Sequence, residues 1–133
     1  MSLEVVNIHP NIRFNKSKLK KFIREKLKEL NVKAKEVNIV LTDDEYIKNL
    51  NRHYRGIDSA TDVLSFSMDE TQLWGDIYIS LDTALRQAEG QGWDLEEEVK
   101  FLAIHGLLHL LGYNDEDEEG YRTMMQLTNK LLA

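Results

Sequence analysis

Cysteine is absent from the 133 residues. No disulfide can staple the fold and no thiolate can hold a metal, so any bound metal must be met by imidazole and carboxylate. Proline occurs once, in His9-Pro10-Asn11, a triplet that closes an extended segment rather than continuing it. Apolar runs are short and broken by Lys, Glu or His, well below the ~20 residues a membrane-spanning helix requires. The first residues, Met-Ser-Leu-Glu-Val-Val, lack a basic stretch followed by an apolar one, so no secretory signal is expected and the expected compartment is the cytoplasm. Internal repeats, low-complexity tracts and linkers are lacking too, which at this length leaves one domain with one core.

What is present is an ordinary globular composition, 42% apolar and 30% charged, which predicts a packed core. The net charge of -6 disfavours nucleic acid as a partner only until its distribution is considered. Arg13 to Glu36 carries ten basic residues against three acids, whereas Asp94 to Glu119 carries nine acids and one Lys. Such asymmetry fits a surface that faces a polyanion, and it equally fits a solvated amphipathic helix.

Period-two and period-3.6 patterns give a mixed order of elements. Leu3 to Ile8 reads as a strand. Lys16 to Leu30 reads as a helix with Leu19, Phe22, Ile23, Leu27 and Leu30 on one stripe and the Lys26 stem beside them. A strand is expected over Glu36 to Leu41, then a short helix opened by Asp43 and Asp44 and running to about His53. Tyr54 to Asp62 is polar and turn-rich and reads as a loop. Val63 to Met68 and Gly75 to Ser80 alternate as a hairpin pair, with Val63, Ser65 and Ser67 sharing a face. Leu81 to Gly90 reads as a helix ending at glycine. A longer helix is capped by Asp94, with Glu97 at the capping-box position, and stops near Leu111 at Gly112. The last helix starts near Asp117, with Tyr121, Met124, Met125, Thr128, Leu131 and Leu132 as its apolar stripe. Without regular β-α-β alternation the class is α+β, a mixed four-stranded sheet with about five helices.

The segment Phe101-Leu-Ala-Ile-His105-Gly106-Leu107-Leu108-His109-Leu110-Leu111-Gly112-Tyr113-Asn114-Asp115 carries the chemistry. Histidines four apart lie one above the other on a helix and can reach one ion. Gly112 lets the chain leave the helix, and the turn can return Asp115 to the same ion. Ligand, ligand at plus four, glycine at plus seven and ligand at plus ten is the spacing of an extended zincin motif. Two imidazoles on the most apolar stretch of the chain would be costly to bury without a partner, which also favours a metal. Three protein ligands leave one position for water, as a catalytic zinc requires. In peptidases of the H-E-x-x-H kind the Glu after the first His is the general base, and Gly106 stands there instead. A peptidase is therefore disfavoured.

The run H-G-L-L-H-L-L-G-Y resembles the YbeY family of bacterial endoribonucleases, and two further stretches support the likeness: Tyr54-Arg55-Gly56-Ile57-Asp58-Ser59-Ala60-Thr61-Asp62-Val63-Leu64-Ser65-Phe66 and Gly75-Asp76-Ile77-Tyr78-Ile79-Ser80. Their order and separation fit, and with the basic first helix the resemblance spans nearly the whole chain. It implies one domain with a single zinc ion on the helix-turn segment and Arg55 serving a phosphate. The substrate it implies is precursor ribosomal RNA, single-stranded and processed in 16S maturation and quality control, with a ribosomal subunit or assembly proteins as partners.

One departure stands out. The family pattern closes G-Y-D-H with its third zinc-binding histidine last, whereas here Asn114-Asp115 follow Gly112-Tyr113. Carboxylate is an accepted zinc ligand, so Asp115 is expected to keep a weaker or slower site, with Glu116 and Asp117 as substitutes. Imidazole and carboxylate also suit nickel, cobalt or manganese. Asp62 reads as a loop-holding residue, Ser65 is left open, and Trp74 and Trp93 read as packing rather than base stacking. Three activities remain compatible: a metal-dependent endoribonuclease, with Lys18, Lys21 and Lys28 on RNA backbone; an assembly factor with a structural zinc; and a metallopeptidase.

Overall fold

The computed structural model describes residues 2–69 and 71–133. In order, its elements are β1 (Ser2–Asn7), α1 (Lys16–Glu29), β2 (Ala34–Thr42), α2 (Asp44–Arg55), β3 (Val63–Asp69), β4 (Leu73–Ser80), α3 (Leu81–Gln91), α4 (Leu95–Leu110) and α5 (Glu118–Leu132). The strands make one mixed sheet in the order β1-β2-β4-β3. β1 and β4 run parallel to β2, and β3 pairs antiparallel with β4 as the expected hairpin. The α+β class, the four strands and the five helices agree with the sequence patterns.

Strand alternation decides which face of the sheet is buried. Val37, Ile39 and Leu41 of β2 stand in register with Gly75, Ile77 and Ile79 of β4, and Leu3 and Val5 of β1 continue the row. All eight are buried. Against this face lie α1, through Leu19, Ile23 and Leu27, and α4, through Leu102, Ile104 and Leu107. On the other face Tyr78 of β4 stacks with Tyr46 of α2, and Tyr54 at the far end of α2 meets Phe66 of β3 edge-on.

Each helix opens on a side-chain cap (Asn15, Asp43, Ser80, Asp94 and Asp117) that accepts from a backbone N–H three residues on. Such a cap contributes about 1 kcal/mol. Asp44, in the first turn of α2, joins a polar knot. It accepts from Ser80 and Thr83 hydroxyls at 2.6 Å each and from Arg86 at 2.7 Å. Its own N–H donates to Asp82, whose other oxygen receives His9 Nε2 at 2.8 Å. His9 Nδ1 accepts two backbone N–H groups, which leaves the proton on Nε2 for Asp82. The knot pins the start of α2 to the starts of α3 and of the Pro10 turn.

Boundaries differ from expectation in informative places. β2 begins at Ala34 because its pairing with β4 reaches Leu73. α3 passes through Gly90 and stops at Gly92, the glycine that takes the left-handed conformation with φ 76°. α2 continues through Tyr54 and Arg55 to Gly56, φ 70°, so the expected loop begins two residues later. Tyr121, placed on the apolar stripe of the last helix, is 53% exposed, while Met124, Thr128 and Leu131 are buried. No helix among the described residues is long and apolar enough to cross a membrane.

Candidate metal centre

His105 and His109 project from one face of α4, one turn apart, with their Nε2 atoms 3.3 Å from each other. After Leu110 the helix tightens, Gly112 takes φ 100°, and the N–H groups of Gly112 and Tyr113 close onto the carbonyls of His109 and Leu108. That turn returns Asp115, as the spacing requires. Its Oδ2 lies 3.4 Å from His105 Nε2 and its Oδ1 4.0 Å from His109 Nε2. The three donors stand within 4.8 Å of one another. Donors about 2.1 Å from a tetrahedral zinc stand about 3.4 Å apart, so this set fits such an ion.

Protonation agrees with that fit. Burial pushes the His109 imidazole below its usual range, and His105 and Arg55 add to the effect against the opposing pull of Asp115 and a backbone hydrogen bond at Tyr113. A neutral ring is the form that can donate a lone pair. The outer nitrogens differ. His105 Nδ1 is buried without a partner among the described residues, and the ring is instead stacked on Phe101, centroids 6.2 Å apart.

A cavity of 690 Å³ opens over the donors, with Arg55, Asp62, Ser65, Ser67 and Asn114 on its walls. Arg55, expected in a loop, is the last residue of α2, because Gly56 caps the helix directly after it. Asp62 does hold the loop, accepting from Val63 N–H at 2.8 Å and from Thr61. Ser65 points at α4 and donates to the Gly106 carbonyl at 3.1 Å. Ser67 was not singled out from sequence, although the strand alternation already put it on the face of Ser65, and Asn114 was noted only as a departure from the family pattern.

Gly106 is explained by close approach. A Cβ there would lie 2.7 Å from Ile77 Cγ2 and 3.0 Å from Ser65 Oγ. The glutamate base of an H-E-x-x-H peptidase has no room at this position, and the propensity cost of glycine, ~1 kcal/mol, is offset by tight helix–sheet contact.

The basic first helix sits elsewhere. α1 packs on β1, the sheet edge opposite β3, three strand spacings or about 15 Å away. Lys18 is paired with Glu96 at 2.8 Å and Lys20 with Glu4 at 3.4 Å, so part of this charge is already neutralised within the fold. Trp74 carries Lys35 over its ring at 4.3 Å, near the start of β4.

A family model described as endoribonuclease YbeY matches residues 4–133. The chain belongs to the YbeY family. Among relatives named endoribonuclease YbeY, that of Sulfurihydrogenibium sp. is 47% identical over 128 residues, covering 89% of this chain and 84% of the relative. That of Thermus thermophilus is 43% identical over 122 residues, with 87% and 88% covered. The solution structure of TM1509 from Thermotoga maritima superposes with a TM-score of 0.69 at 29% identity, covering 98% of this chain and 86% of that one. The YbeY family is metal-dependent, and here the group able to receive a metal is two imidazoles and a carboxylate.

Proposed function

We propose that the chain is a zinc-dependent endoribonuclease that cuts single-stranded precursors of ribosomal RNA in the cytoplasm, serving 16S maturation and ribosome quality control. In this reading His105, His109 and Asp115 hold the ion, Arg55 binds the phosphate, and a ribosomal subunit or assembly proteins present the substrate. The carrying observation is that three metal-competent donors and one guanidinium converge on a single cavity. A zinc bound there supplies Lewis acidity and lowers the pKa of a bound water to about 7.

The chain's own residues do the rest. Arg55 presents planar, paired N–H donors to the non-bridging oxygens of a phosphodiester, where charge grows in the transition state. Ser65 and Ser67 add hydroxyls along the wall formed by β3. The narrow approach at Gly106 seats α4 against β3, which fixes the distance between the donors and that wall.

The test is cleavage of end-labelled single-stranded and duplex RNA by the purified chain, before and after chelation and with zinc restored. Cleavage confined to single strands, lost with the metal and regained with zinc, supports the proposal. Metal-bound protein that binds RNA and cuts none would favour an assembly factor with a structural zinc, a reading that draws on the carboxylate at position 115 and the unpartnered His105 Nδ1.

A further inference from the structure

A second cavity, of 810 Å³, adjoins the histidine pocket, and Asp62 lines both. Its walls come from α3, the start of α4 and α5. Trp93 and Phe101 supply two aromatic rings with centroids 6.2 Å apart, and Phe101 stacks in turn on His105. The aromatic wall is therefore continuous from this cavity to the metal donors. The cavity also holds Glu98. The residue is only 3% exposed, and no cation pairs with it among the described residues. Oε1 accepts from Trp93 Nε1 at 2.9 Å, while Oε2 takes no hydrogen bond among the described residues. Oε2 is not sealed from solvent but opens on the cavity, where it can accept from a ligand's donor. Gln87, tethered to Asp62 at 3.3 Å, and Asn129 add amides to the rim.

We propose that this cavity is a nucleobase subsite selective for guanine in the RNA strand that enters the histidine pocket. The volume lies in the range of ligand sites, and Trp93 and Phe101, tilted 51° to each other, each offer a face on which a flat base can stack. Guanine follows from the carboxylate. Its Watson–Crick edge carries two adjacent donors, N1–H and the 2-amino group, which match the two oxygens of Glu98 as a fork. Adenine and cytosine offer an amino group beside a ring acceptor, and uracil a single N–H between two carbonyls, so each would set an acceptor against Glu98. A site that leaves a buried polar group unpaired with the wrong ligand discriminates strongly. The source of the guanine, an RNA strand, rests on the nuclease reading above.

Because the chain has two tryptophans, Trp74→Phe leaves Trp93 as sole fluorophore. In that background the four nucleoside 5′-monophosphates are titrated separately. The expected result is saturable quenching by the guanine nucleotide at concentrations about tenfold or more below the other three. Glu98→Gln should weaken the guanine nucleotide on the order of tenfold and leave the others unchanged. Equal response to all four, absence of saturable response, or a preference that survives Glu98→Gln overturns the proposal. If Glu98→Gln fails to fold, the preference among the four nucleotides decides alone. The titration needs neither metal nor turnover, so its failure is distinct from failure of the nuclease reading, which the cleavage assay judges.

Discussion

The Ser65 hydroxyl donates to the Gly106 carbonyl at 3.1 Å, and it stands 3.0 Å from where a Cβ on residue 106 would be. Edge strand and histidine-bearing helix thus meet at a position on α4 where an added side chain would crowd both Ser65 and Ile77.

Gly106→Ala should therefore destabilise the protein, although alanine is the better helix former. The gain of ~1 kcal/mol in propensity is set against overpacking of 1–3 kcal/mol with Ile77 close by. Gly106→Glu should be worse and should create no peptidase. Urea unfolding at neutral pH checks both, and a variant as stable as the parent would mean that α4 can move off the sheet.

If Asp115 is the third ligand, metal retention should depend on it. Asp115→Ala should reduce zinc affinity by at least tenfold, since only two imidazoles remain within reach. Asp115→His should restore or tighten it by supplying a third neutral nitrogen. Competition with a chromophoric chelator measures the order His, Asp, Ala. Equal affinity for Asp and Ala would place the third donor at Glu116 or Asp117.

For Arg55 the expected signature is loss of turnover alone. Arg55→Ala should lower the cleavage rate by about 10²–10³ while metal content and melting midpoint hold, and Arg55→Lys should recover only part because it lacks the fork. A parallel loss of metal would show that the residue supports the site rather than the phosphate.

Two carboxylates give opposite pH signatures. Burial pushes Asp44 up, but hydrogen bonds from Ser80, Thr83 and Arg86 together hold it below the ordinary carboxylate range. Its contribution to stability is present above that ordinary range and disappears as pH falls through the depressed value. Asp44→Asn should thus be less stable than the parent near neutrality, with the gap closing in acid. Burial raises Glu98 above its ordinary value, with Asp62 adding to this against the Trp93 hydrogen bond. Its ionised form weakens the fold as pH rises from the ordinary value through the raised one. Glu98→Gln should accordingly match or exceed the parent near neutrality and lose that advantage in acid. Thermal midpoints across pH read out both signs.

The convergence of two imidazoles and a carboxylate was legible because their placement is local. His105, His109, Gly112 and Asp115 lie within eleven residues, and helix geometry plus one left-handed turn suffices to gather them. Arg55 was legible as a residue but not as a helix terminus. Its segment is rich in turn formers, and only the backbone hydrogen bond from Gly56 N–H to the Arg52 carbonyl shows that α2 continues to Gly56. The Lys18–Glu96 pair and the cavity beside Trp93 join segments dozens of residues apart, which no period in the sequence encodes. Tyr121 keeps helical spacing yet faces solvent, because the stripe it extends is wider than the surface α5 covers.

Helix α2 is about 18 Å long, anchored at one end by the Asp44 knot and carrying Arg55 at the other. Only Ile47 and Asn51 are buried along it. Such a thinly seated rod is among the first parts of a fold to open on warming. Heat should accordingly silence the enzyme before it melts it, and the temperature at which cutting ceases would report the hold of a carboxylate outside the histidine cavity.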